Sequence, residues 1–164
     1  MISCIDHPSA VGNLLIAATD HGICGIYFEE HRHFKGREGW QQPKAGSPAA
    51  RHLQEAARQL DEYFAGRRTV FEVPLDLKGT AFQRAVWAAL SDIPFGRSTS
   101  YAQHAQTLGN PKALRAVGAA IGRNPVSIIV PCHRVIGSSG AVTGYAGGLD
   151  RKRFLLRLEG MAID

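Results

Sequence analysis

Residues 100–125, SYAQHAQTLGNPKALRAVGAAIGRNP, carry the pattern on which the reading of the fold turns. Ser100 supplies a side-chain N-cap for a short helix over YAQHAQTLG, and the turn Gly109-Asn110-Pro111 closes that helix and starts a second, KALRAVGAAIG. Two short helices joined by a tight glycine-containing turn outline a helix-turn-helix. Ala113, Ala116, Gly118, Ala119, Ala120 and Gly122 leave the second helix with an unusually flat side, and Arg115 stands among them as a long cation. That side either packs tightly inside the protein, with Arg115 solvated, or lies close to another surface, with Arg115 inserted into a duplex.

Downstream, residues 127–137 read SIIVPCHRVIG. The apolar run predicts a core strand ending at Pro131, with Cys132 just beyond it. A free cysteine there is either a small buried hydrophobe or a nucleophile. A nucleophile works as thiolate and needs a base or a positive field, for which His133 and Arg134 are candidates.

Upstream, NLLIAAT (13–19) and GICGIYF (22–28) are apolar runs separated by Asp20-His21, a hairpin pattern. The polar, Gly- and Pro-containing stretch EEHRHFKGREGWQQPKAGSP reads as a surface loop. Ser47 then caps a helix with Pro48 in its first turn and Leu53, Ala56, Ala57, Leu60, Tyr63 and Phe64 on one face, ended by Gly66. TVFEVPLDL (69–77) predicts a third strand, limited to an edge by Pro74. From Thr80 the spacing of Phe82, Ala85, Val86, Ala89 and Leu90 marks another helix, closed by IPFG. The expected architecture is α+β: a small N-terminal sheet-and-helix lobe over residues 1–78, then a mostly helical domain over 79–164 that holds the helix-turn-helix and the active site.

The chain has 164 residues, 45% hydrophobic and 20% charged, enough for one domain or two small lobes. No opening segment joins a basic region to a long apolar run, so a cytoplasmic protein without a membrane span is expected. Cys4, Cys24 and Cys132 lie far apart without CxxC spacing, against a disulfide framework and a standard zinc knuckle. A net charge of +5 suits a polyanionic partner without demanding one.

PCHRV (131–135), RAVGAAIGRNP (115–125), SYAQ (100–103) and GYAGG (144–148) followed by RKRFLLRLEG together resemble the O6-alkylguanine-DNA alkyltransferases, also called methylated-DNA–protein-cysteine methyltransferases. The resemblance is close over roughly residues 79–160 and general before that. It implies DNA repair in which an alkyl group passes from O6 of guanine, and also from O4 of thymine, to the protein's own cysteine. The bond formed is a thioether, so each molecule acts once, and no cofactor or metal is implied.

By the same resemblance Cys132 is the acceptor, His133 its base through a bridging water, Glu159 the carboxylate orienting His133, and Asn124 the brace of the active-site turn. The target base must leave the stack to be reached. The resemblance makes Arg115 the residue that fills the vacated space from the minor groove, Tyr101 the one that pushes on the phosphate, and Asn110 and Ser138 backbone contacts. Val135, Tyr145 and Ala146 line the base pocket. The implied partner is double-stranded DNA containing O6-alkylguanine, bound by a monomer.

The chain departs from the family pattern in three respects. Ala146 stands where some members have a serine able to donate to O6, leaving backbone N–H groups to polarise it. His104 stands where the first helix of the pair usually carries an aliphatic residue. Cys4, Cys24, His21, His31 and His33 do not match the ligands of those members that bind zinc in the N-terminal lobe. Two rival readings are a damage sensor of the same fold, which would lack the acceptor cysteine, and a cysteine hydrolase, which gives the Ala-rich helix no role.

Overall fold

The computed structural model describes residues 1–163. The chain divides into two compact units, Met1–Lys78 and Gly79–Asp164, and its class is α+β.

The first unit is a three-stranded antiparallel sheet, β1 (Ser3–Ser9), β2 (Gly12–Thr19) and β3 (Gly22–Tyr27), in the order β1-β2-β3, with helix α1 (Pro48–Phe64) against it. The central strand β2 is apolar without alternation because it is covered on both faces: Leu14, Ile16, Ala17 and Ala18 are fully buried. Ser47 caps α1 by accepting from Ala50 N, and Leu53, Ala56, Leu60 and Tyr63 form its buried stripe. Strand β1 was not predicted, because SCIDHPS carries too many polar residues to show a strand pattern; its pairing with the apolar β2 makes it one.

Two expectations for this unit are corrected. TVFEVPLDL forms no strand: residues around Pro74 only run beside β3, through Ile23 N to Pro74 O at 2.8 Å and Asp76 N to Ile23 O at 2.8 Å. The stretch after β3 is more than a surface loop. Phe34 stacks on Tyr27 at 4.3 Å between centroids, Trp40 lies 5.9 Å from Phe34, and Gln41 exchanges backbone hydrogen bonds with Ile2 and Cys4. Aromatic side chains in an otherwise polar segment turn part of it inward.

The second unit contains α2 (Ala81–Leu90), a two-residue strand β4 (Thr99–Ser100), α3 (Tyr101–Thr107), α4 (Leu114–Gly122), a 3-10 turn (Cys132–Arg134), β5 (Val135–Ile136) and α5 (Leu149–Leu158). Thr80 opens α2 with a reciprocal capping box to Gln83, and Ser100 caps α3 by accepting from Gln103 N. Helices α3 and α4 form the helix-turn-helix, fastened from behind by α2. Trp87 Nε1 donates to Ala120 O at 2.8 Å, and the His104 ring donates to Val86 O at 3.2 Å. His104 is therefore a buried strut between α3 and α2, which accounts for an imidazole where an aliphatic side chain was expected.

The two sides of α4 differ in exposure. Val117, Ala120 and Ile121 are buried, whereas Arg115, Ala116 and Ala119 are exposed. Strands β4 and β5 pair in parallel, Thr99 with Val135 and Ser100 with Ile136. That pairing sets the start of α3 beside the backbone just after PCHR.

Candidate active site

The segment before the cysteine is not a strand, contrary to the sequence expectation. Ile129 N donates to Ser127 O at 2.8 Å, closing a γ-turn on Ile128, whose φ is +72°. A buried β-branched residue in the left-handed region is strained and persists only when its surroundings hold it. The hold comes in part from Asn124. Its Oδ1 accepts from Val126 N at 3.0 Å and its Nδ2 donates to Val130 O at 2.8 Å, closing both sides of the turn. A second tight turn follows at Pro131, with Cys132 N donating to Val130 O at 2.8 Å. The two bends deliver Cys132 to the start of the 3-10 turn instead of the end of a strand.

Cys132 is 6% exposed and His133 is fully buried. His133 Nε2 donates to Glu159 Oε2 at 2.7 Å, which fixes the neutral tautomer with the lone pair on Nδ1. Nδ1 has no hydrogen-bond partner among the described residues. Burial is the main effect on both groups. It pushes the Cys132 thiol up, against hydrogen bonding from Asn124 and the charge of Lys152, and it pushes the His133 imidazole down, against the hydrogen bond it donates to Glu159. Burial thus favours the neutral form of both the thiol and the imidazole.

One buried cation escaped the sequence reading. Lys152 is fully buried, and its Nζ donates to Val135 O at 2.6 Å, Thr143 O at 2.5 Å and Gly144 O at 3.1 Å. It ties the segment before Tyr145 to β5, and burial brings its pKa down to about 8. Arg134, noted in the sequence only as a source of positive field, is buried and grips Glu159 through both carboxylate oxygens. The signal for Lys152 and Glu159 was the spacing on α5 and its end. Lys152, Leu155, Leu156 and Glu159 fall at i, i+3, i+4 and i+7, one helical face, and all four are buried.

The other expected site residues divide by exposure. Val135 is buried, Tyr145 and Ala146 are half-buried, and Tyr101 is the half-buried first residue of α3, its hydroxyl donating to Thr143 O at 3.2 Å. Tyr145 also favours ionisation of Cys132, less than Asn124 and Lys152 do. Asn110, Arg115 and Ser138 are exposed: Asn110 between α3 and α4, Arg115 in the first turn of α4, and Ser138 in the turn that Gly140 N closes onto Gly137 O at 2.9 Å. No cluster of three or more His, Cys, Asp or Glu able to hold a metal occurs among the described residues. Cys24, one of the candidate ligands, has its thiol pushed up to about 11 by burial.

Residues 81–161 match the family model of the 6-O-methylguanine DNA methyltransferase DNA-binding domain, and residues 6–77 match the ribonuclease-like domain of the same proteins. The chain belongs to the 6-O-methylguanine DNA methyltransferase family. A methylated-DNA–protein-cysteine methyltransferase of Methanosarcina acetivorans is 47% identical over 93% of this chain and 94% of its own. The Mycobacterium leprae protein of the same name is 47% identical over 97% and 93%. Among solved structures, Mycobacterium tuberculosis OGT in complex with DNA has a TM-score of 0.83 and 45% identity, covering 96% of this chain and 91% of that one. Family membership covers both units, although the sequence resemblance was close only in the second. Among the described residues no helix is long and apolar enough to cross a membrane.

Proposed function

We infer that the protein repairs double-stranded DNA directly, by moving an alkyl group from O6 of guanine, and from O4 of thymine, onto Sγ of its own Cys132. The observation that carries this reading is the buried pairing of His133 Nε2 with Glu159 Oε2 at 2.7 Å, which leaves Nδ1 as an acceptor next in sequence to a buried thiol.

His133 Nδ1 takes the thiol proton through a bridging water, and Glu159 accepts the hydrogen bond that steadies the imidazolium so formed. The thiolate attacks the alkyl carbon. An S–C bond forms as the C–O6 bond breaks, O6 becomes a carbonyl oxygen, and the guanine anion takes up one proton at a ring nitrogen from water, balanced by return of the thiol's proton from His133 to water. Backbone N–H groups near Val135, Tyr145 and Ala146 are the donors suited to O6, since Ala146 has none in its side chain. The balance needs no metal or cofactor. A thioether is a poor leaving group, so Cys132 is consumed and each molecule turns over once.

The target base is reached by rotating it out of the duplex. The exposed Ala116 and Ala119 give α4 a side low enough for the minor groove, and the exposed Arg115 beside them is long enough to enter the vacated stack. Tyr101 presses on the flipped nucleotide's phosphate, and Asn110 and Ser138 hold the backbone. The three cysteines are unpaired, which suits work in the reducing cytoplasm.

Incubation with duplex DNA carrying O6-methylguanine tests the reading by mass spectrometry. The expected result is a gain of one CH2 at Cys132, at most one per molecule, and none in C132S. Damaged DNA bound but left methylated would make the protein a sensor, and several repairs per molecule would overturn the thioether end point.

A further inference from the structure

Arg134 is a buried cation in a protein whose proposed ligand is an anion, so its charge serves something other than DNA. Its guanidinium is fully committed inside the second unit. Nε donates to Glu159 Oε1 at 2.8 Å, Nη2 to Glu159 Oε2 at 3.0 Å and Nη1 to Ile93 O at 2.6 Å, with the Phe95 ring centroid 5.9 Å away. Glu159 Oε2 is shared with His133 Nε2. One carboxylate therefore answers two potential cations, and only one of them is permanently charged.

We propose that Arg134 is a positioning residue that neutralises Glu159 and so keeps His133 an uncharged base, its Nδ1 lone pair available for the Cys132 proton. A carboxylate paired with an imidazole alone draws a proton onto it, and an imidazolium offers no lone pair at Nδ1. With the guanidinium on both oxygens, charging His133 would place a second positive charge on a single negative one. The groups facing His133 are Glu159, which favours the imidazolium, and Arg134 and the Lys152 ammonium, which oppose it along with burial. The fork geometry also fixes the plane of Glu159 and hence the direction of its bond to His133. Gly96 N, at 3.4 Å from Oε1, is its further neighbour, and the positive φ of Gly96 permits that approach.

The inference rests on the proposed role of His133 as the base, and the experiment separates the two. The rate of Cys132 alkylation by free O6-benzylguanine, which needs no base flipping, is measured from pH 5.5 to 9 for the wild-type protein, R134K, R134M and H133Q. The His133 imidazole is followed by NMR across the same range. R134K keeps a cation but not the two-point grip, and it guards against loss of folding in R134M. The expected result is that His133 is neutral at pH 7 in the wild type and that its titration moves up by about one unit in R134K. The acid limb of the rate moves with it, so the variant's loss grows as pH falls, approaching about tenfold only below both pKa values, and is small at pH 9. An unmoved pH profile, or an equal loss at every pH in a folded R134K, would reduce Arg134 to a structural brace. A wild-type rate in H133Q would instead remove His133 as the base, and the inference with it.

Discussion

His133 and Glu159 meet at 2.7 Å with neither side chain reaching solvent, and the pair bridges a 3-10 turn and the end of a helix 26 residues further along the chain. Its geometry explains why the carboxylate cannot be changed cheaply. Glu159 is also the only charge-bearing partner among the hydrogen bonds of Arg134 given above. Replacing it with glutamine leaves a buried guanidinium without its counter-charge, which costs about 3–5 kcal/mol. In urea unfolding, E159Q is expected to be far less stable than wild type, and the double variant E159Q/R134M to lose less than the sum of the two single variants. Additive losses would show that the two residues are not coupled.

Arg115 is exposed in the first turn of α4 and takes part in none of the hydrogen bonds or ion pairs given above. R115A is therefore expected to retain stability and to react with free O6-benzylguanine at close to the wild-type rate. Repair of the same lesion in duplex DNA is expected to slow by at least about tenfold, since unstacking costs a few kcal/mol. Equal slowing with both substrates would remove Arg115 from base flipping.

Burial lowers the pKa of His104 below its ordinary 6.5 while its ring donates to Val86 O. As pH falls below 6.5 the unfolded chain takes up a proton there before the folded one does, so this residue's share of stability is present above that pH and lost below it. H104Q keeps an N–H donor for Val86 and removes the titration. Unfolding measured between pH 7 and 5 is expected to take up to one proton fewer in H104Q, leaving the similar contribution of the lowered His133. An unchanged slope would mean that His104 titrates alike in the folded and unfolded protein.

Lys152 has the same sign in a higher window. Its folded pKa of about 8 lies below the ordinary 10.5, so the unfolded chain holds more protons between those values and its contribution to stability rises with pH across them. The same loss of charge costs the amine one of its three N–H donors, while three carbonyls accept from it. Above pH 8 the segment around Thr143 and Gly144 is expected to exchange its amide hydrogens faster than the base-catalysed increase alone predicts. K152M should show that fast exchange at pH 7 already. Full protection in K152M would mean that other contacts hold the segment.

What could be read from the chain by itself was whatever is decided within a few residues. Ser47, Thr80 and Ser100 cap their helices through hydrogen bonds to backbone three residues on, and the apolar stripe of α1 follows a helical period. Such signals need no knowledge of the rest of the fold. The motif around Cys132 was equally legible, and with it the family and the chemistry.

Tertiary structure decided the remainder, because there the competing choices are settled by partners distant in sequence. SIIVPC has the composition of a strand, yet Asn124 and the flanking core bend it through a strained γ-turn at Ile128. SCIDHPS has a weak strand pattern, yet β2 offers it a complete ladder. TVFEVPLDL looks like a strand and finds only the few backbone bonds that β3 leaves it. Arg134 and Lys152 read as two more charges in a basic chain until the fold buries them against Glu159 and three carbonyl oxygens. A charge in sequence is solvated by default, and only the assembled interior can show that it has been taken from water and given a partner.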